Sequence, residues 1–187
     1  MASLRRSLLA VVALSVAGCG YNSIQTKDEA VNAAASQIKT QLQRRADLVP
    51  NLVETVKGFA RQETTIFIRV AEARSQLAGA VQGGDLQQMA AANQALTAPL
   101  GRLLALVENY PELKSNQNFL QLQDQLEGTE NRISVARQDY NRAVEDFNAY
   151  IRRFPYVITA KIIGRGKPRA YFELTTPEAA EAPKVKF

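Results

Sequence analysis

The chain has 187 residues and a formal net charge of +5, with one cysteine, no histidine and no tryptophan. Without histidine there is no histidine-based catalytic triad, no histidine zinc site, no c-type haem attachment and no Glu-x-x-His di-iron site. One cysteine leaves no disulfide and no thiolate metal cage. No glycine-rich loop joins a strand to a helix, and no basic patch is interleaved with aromatics. Nucleotide cofactors and nucleic acid are therefore not expected as partners.

The N-terminus has the parts of an export signal: Arg5 and Arg6, an apolar run from Leu8 to Ala17, then the small residues Ala17 and Gly18. The run falls short of the roughly 20 apolar residues that a spanning helix needs, so cleavage after residue 18 is expected. Val16-Ala17-Gly18-Cys19 resembles the bacterial lipobox, which implies that Cys19 becomes the acylated first residue of the mature protein. Two or three acyl chains of the palmitate kind would hold it on a membrane. Gly20 rather than aspartate after the cysteine resembles the signal for outer-membrane sorting. That implies a periplasm-facing protein in a Gram-negative organism, or a plasma-membrane one otherwise. Residues 19–27 read as a lipidated tether.

From Val31 the alternating three- and four-residue spacing gives Val31, Ala35, Ile38, Leu42, Arg45, Val49, Leu52, Val56, Phe59, Glu63, Ile66, Val70, Ala73, Leu77 and Ala80. Thirteen of these fifteen are apolar, against 46% for the chain, which is a heptad seam of the kind that packs in left-handed bundles. Pro50 either divides this seam or kinks it. Gly83-Gly84 ends it and Asp85 is the expected N-cap of the next helix. A shorter seam runs through Leu86, Met89, Asn93, Leu96, Leu100, Leu103 and Val107, with a kink or a fresh start at Pro99, and closes at Pro111. The third seam runs Phe119, Leu122, Leu126, Thr129, Ile133, Ala136, Tyr140, Ala143, Phe147, Tyr150 and Phe154, widened by Val144 and Ile151, until Pro155 stops it. The fold expected is all-α: an elongated antiparallel up-and-down bundle over residues 28–155, with three long helices, or four if the first divides near Pro50. An irregular segment follows over 156–187.

Two charges interrupt the first seam. Arg45 and Glu63 hold core positions, where an unpaired charge costs several kcal/mol, and eighteen residues of helix keep them apart. Each needs a partner from another element. Counting equally from the Gly83-Gly84 turn sets Glu63 opposite about residue 103, which makes Arg102 its expected partner. The pair of charges serves either helix register or a binding surface. Glu127 and Glu130, one turn apart, read as a solvated or ion-paired face near Arg132 and Arg137.

The runs Gln43-Arg-Arg-Ala-Asp-Leu-Val-Pro-Asn-Leu-Val-Glu-Thr-Val-Lys-Gly58, Glu108-Asn-Tyr-Pro-Glu-Leu-Lys114 and Gly128-Thr-Glu-Asn-Arg-Ile133, with Ala136-Arg137, Tyr140-Asn141 and Phe154-Pro155, resemble the LemA family. The resemblance implies a bundle anchored at the cell envelope, associated with envelope stress and membrane proteases, acting as an adaptor with no catalytic residues. It marks Arg44, Arg45, Asp47, Pro50, Asn51, Lys57, Glu63, Asn109, Tyr110, Pro111, Glu130, Asn131, Arg132 and Arg137. Ala35 departs from a frequent tryptophan and Gln62 from a frequent histidine, and many members keep a membrane-spanning N-terminus where this chain has a lipobox.

The reading that follows is a non-enzymatic, lipid-anchored envelope scaffold without cofactor or metal. It would bind a membrane through its N-terminal lipid and an envelope protein through the marked residues. The alternative is a carrier or sensor of a small apolar or lipid ligand held between helices.

Overall fold

Apolar side chains at helical spacing commit most of the chain to helix. The computed structural model describes residues 20–172, and among them form six helices: α1 (Tyr21–Lys57), α2 (Thr64–Gly83), α3 (Leu86–Val107), α4 (Pro111–Lys114), α5 (Gln117–Arg152) and α6 (Tyr156–Ile162). There is no strand among the described residues, and the protein is an all-α helical bundle. The expected signal peptide, Cys19 and residues 173–187 lie outside them.

The first seam does divide, but away from Pro50. That proline is exposed inside an unbroken α1, and the break falls at residues 58–63. Gly58 disfavours helix, Ala60 N–H turns back to the Val56 carbonyl at 3.0 Å, and Thr64 and Thr65 open α2. The expected seam is wrong only at the break: Phe59 is 39% exposed, and Phe67 takes the core position assigned to Ile66. The break also resolves a mismatch of lengths. A helix from Val31 to Ala80 would have been far longer than its neighbours, whereas α1 and α5 have 37 and 36 residues and α2 and α3 have 20 and 22.

Helix ends follow the local chemistry. Gly84 closes α2 in the left-handed region at φ 77°, and its N–H reaches the Ala80 carbonyl. Asp85 caps α3, accepting from the N–H groups of Gln87 at 2.8 Å and Gln88 at 3.3 Å. Pro99 lies inside α3 without starting a new helix, and Pro111 opens α4 at a position that needs no N–H donor.

The described residues group into two compact units. One comprises residues 20–38 with 134–171, and its core includes Ile24, Val31, Ile38, Val144, Phe147, Ile151 and Ala160. The tether expected over 20–27 is helical here, because burial of Ile24 and Asp28 draws the start of α1 back to Tyr21. The irregular segment likewise begins with α6. Phe154, expected in the core, is 80% exposed, since α5 ends before it.

The other unit comprises residues 39–133, together with Phe172. Here α2 and α3 form an antiparallel hairpin across Gly84, and Leu42, Leu52, Val56, Leu77, Met89, Leu96, Leu103, Leu113 and Ile133 are buried.

Candidate functional site

In the 39–133 unit, α1 carries Arg45 into the core, with its side chain 8% exposed. One guanidinium nitrogen, Nη1, donates to Asn93 Oδ1 of α3 and meets Glu130 Oε2 of α5, each at 2.6 Å. Burial lowers the Arg45 pKa from its ordinary value, while the Glu130 charge raises it. The group stays protonated, as arginine does throughout this range. Two of the marked residues, Arg45 and Glu130, are thus brought together. The third member, Asn93, was visible as a polar residue on the second seam. Next to this cluster, Arg74 Nε donates to the Ala46 carbonyl at 3.1 Å.

Glu63 behaves differently from expectation. It is the half-buried N-cap residue of α2, with no side-chain capping bond, and among the described residues no ion pair joins it to Arg102. The hairpin count sets Arg102 beside Thr65, Ile66 and Arg69, but Glu63 stands at the N-terminal end of α2 and forms no ion pair with it. Arg102 is exposed and lines a shallow groove of about 250 Å3 with Thr65, Ile66, Arg69 and Pro99.

Other marked residues open onto the surface. Arg44, Asp47 and Asn51 share a face of α1 and line an open groove of about 620 Å3 with Lys39, Thr40, Gln43, Leu48 and Val81. Gln43 Nε2 donates to Asp47 Oδ1 at 2.8 Å. A second open groove of about 620 Å3 lies at the helix break, between Val53, Glu54, Lys57 and Gly58 on one side and Arg61, Thr64, Phe67, Ile68 and Ala71 on the other. Lys57 Nζ pairs there with Glu54 at 3.0 Å and lies 5.8 Å from the Phe67 ring centre. Tyr110 Oη accepts from Gln62 at 3.3 Å, tying the loop after α1 to the loop after α3. Asn109, Asn131 and Arg132 are exposed, and Arg137 is half-buried in the first unit. Among the described residues, no group of acidic, histidine or cysteine side chains is arranged to hold a metal ion.

The 20–38 and 134–171 unit holds a site that sequence reasoning missed. Asp28 is 2% exposed and accepts from Arg165 Nη1 at 2.9 Å and from Arg169 Nη2 and Nε at 2.7 and 3.1 Å. The Asn148 amide grips the Arg169 backbone on both sides, accepting from its N–H at 2.8 Å and donating to its carbonyl at 2.9 Å. Tyr140 Oη donates to the Ala170 carbonyl at 2.9 Å, and burial pushes its pKa up against the opposing pull of Arg169. The only sequence signals were Asp28 one turn before Asn32, and Arg165 four residues before Arg169.

The geometry so far defines a helical-bundle protein whose buried charges are satisfied by its own side chains, while other marked residues line surface grooves. A family model described as the LemA family matches residues 34–187, and the chain belongs to that family. It is similar to the magnetosome proteins MamQ 2 and MamQ 1 of Paramagnetospirillum magneticum, each 29% identical over 191 residues that span 89% of this chain and 70% of the relative. It is also similar to the magnetosome protein MamQ of Magnetospirillum gryphiswaldense, 26% identical over 167 residues, 77% of this chain and 61% of that relative.

Proposed function

We propose that this protein is a non-enzymatic, membrane-associated scaffold, held at the cell envelope by acyl chains on Cys19, that binds an envelope protein. The observation that carries the adaptor role is the division of labour on α1. Arg45 is consumed by internal partners, whereas Arg44, Asp47 and Asn51, within two turns of it, line an open groove floored by Leu48 and Val81. That mixture of an apolar floor and a charged rim suits a protein segment.

Among the described residues no helix is long and apolar enough to cross a membrane, so attachment would rest on the N-terminus. Relatives named for a cellular structure, the magnetosome, and not for a reaction, support assembly over catalysis.

The test is crosslinking with mass spectrometry in native membranes, comparing the wild type with an Arg44→Ala/Asn51→Ala pair that keeps its helical circular dichroism. A specific crosslinked partner lost in the pair is the expected result. An unchanged crosslinking pattern would remove the groove from the proposal. A carrier of an apolar ligand is favoured by one feature, the groove between Val53 and Phe67. It requires that an apolar probe such as a fatty acid bind there and be displaced by Ile68→Glu.

A further inference from the structure

The segment from Arg152 to Lys167 has a composition that the bundle does not use. Ile158 and Ile162, one turn apart on α6, are 46% and 70% exposed, and Phe154, in the turn just before α6, is 80% exposed. No acidic residue occurs between Asp146 and Glu173, an interval that holds six cations. Arg165 and Arg169 are committed to Asp28. Arg152, Arg153, Lys161 and Lys167 are exposed and carry no ion pair among the described residues. An apolar ridge edged by free cations complements an anionic lipid surface: the side chains enter the boundary between headgroups and acyl chains, and the cations meet phosphates.

A second observation fixes the ridge beside the chain's point of entry. Gly20 lies against α6 so closely that a Cβ there would stand 2.4 Å from a Tyr156 ring carbon and 3.2 Å from the Tyr150 hydroxyl. Those two rings are stacked, with centres 4.3 Å apart. Only glycine tolerates that approach, and its φ of +96° is one that side chains rarely adopt. Cys19 immediately precedes Gly20 in sequence, so acyl chains on it would bring a bilayer surface to α6.

We infer that Phe154, Ile158 and Ile162, with Arg152, Arg153, Lys161 and Lys167, form a membrane-contact surface that lays this unit on an anionic leaflet. The inference rests on the proposed attachment at Cys19, and the two can fail separately.

The absence of tryptophan makes the test direct. The full chain, extracted from membranes with its N-terminus defined by mass spectrometry, is reconstituted as I158W, I162W or V135W. Val135 is a 56% exposed position on α5, about 25 Å along the helix from Arg152. Vesicles of phosphatidylglycerol with brominated phosphatidylcholine are expected to quench I158W and I162W several-fold more than V135W. Arg153→Glu/Lys161→Glu is expected to abolish the difference without changing helicity. Equal quenching at the three positions, or none at 158 and 162 in an acylated chain, overturns the inference while leaving the anchor intact. Blue-shifted I158W emission that needs no lipid and grows with protein concentration overturns it in favour of a second copy of the chain. Quenching at 158 in a chain without acyl groups sustains the surface and removes the anchor.

Discussion

The two units solve opposite problems. The 39–133 unit buries a cation, Arg45, against one counter-ion, Glu130, whose side chain is 52% exposed, and one neutral amide, Asn93, itself buried. The unit of residues 20–38 and 134–171 buries an anion, Asp28, against two guanidiniums whose side chains are 43% and 37% exposed. What matters is which partner is buried and how many counter-ions it has. A buried charge with a single counter-ion depends on it, and a buried charge with two keeps one when the other is lost. The exposed partners can turn back to water, but the buried ones have nowhere to go.

The strongest way to break this comparison is Arg45→Ala. It empties a buried site and orphans the Asn93 carbonyl oxygen, at an expected cost of about 3 kcal/mol, or roughly 8 °C in Tm by circular dichroism. Arg45→Met/Asn93→Leu replaces the polar contact with apolar volume and is expected to recover most of that loss. If the double variant is no better than Arg45→Ala, the cluster contributes more than satisfaction of its own polar groups.

Next in size is Glu130→Gln, which leaves the buried guanidinium without its counter-ion. The expected loss is about 2 kcal/mol, kept below a fully buried case because water reaches Glu130. Smaller still is Arg165→Gln, at about 1 kcal/mol, because Arg169 continues to neutralise Asp28. Removing both arginines should cost more than the sum of the single losses, and amide exchange over residues 165–172 should speed up with it. A single Arg165→Gln as damaging as Glu130→Gln would refute the redundancy.

The smallest effect is expected at Tyr140. Its folded pKa lies above the ordinary value near 10, so folded and unfolded chains are both protonated below that pH. Stability is fully present there and falls as the pH rises beyond it, because the unfolded chain loses the proton first. Tyr140→Phe should remove from the absorbance titration one ionisation lying above the ordinary tyrosine range, at a cost of about 1 kcal/mol.

What was legible in the sequence was periodic. The seams located most of the buried apolar residues of α1, α2, α3 and α5, including the widening at Val144 and Ile151, and passed over Ile24, Ala46, Val53, Phe67, Val81 and Ala90. Arg45 was legible for the same reason, as a charge that needed a partner from another helix. The break at residues 58–63 was hidden because the spacing counts through it almost in register, whereas the hairpin count across α2 set Arg102 close to Thr65 and Ile66 without foretelling that Glu63 would not pair with it. Phe154 looked like core because it continues the third seam, yet Pro155 ends the helix just where that seam would have carried it inward. The spacings of Asp28 with Asn32 and of Arg165 with Arg169 could not reveal the Asp28 site, since Asp28 and Arg169 stand 141 residues apart and meet only through tertiary packing.

That last separation has a mechanical meaning. Tension applied to the chain after Phe172 need not travel back through α6. At Arg169 it passes sideways by two routes, into Asp28 near the start of α1 across two guanidinium bonds and into α5 through the paired bonds of Asn148. These bonds are loaded side by side, so they resist together and yield together. A pull on the C-terminal side of the fold is therefore shared between the first turns of α1 and the last turns of α5.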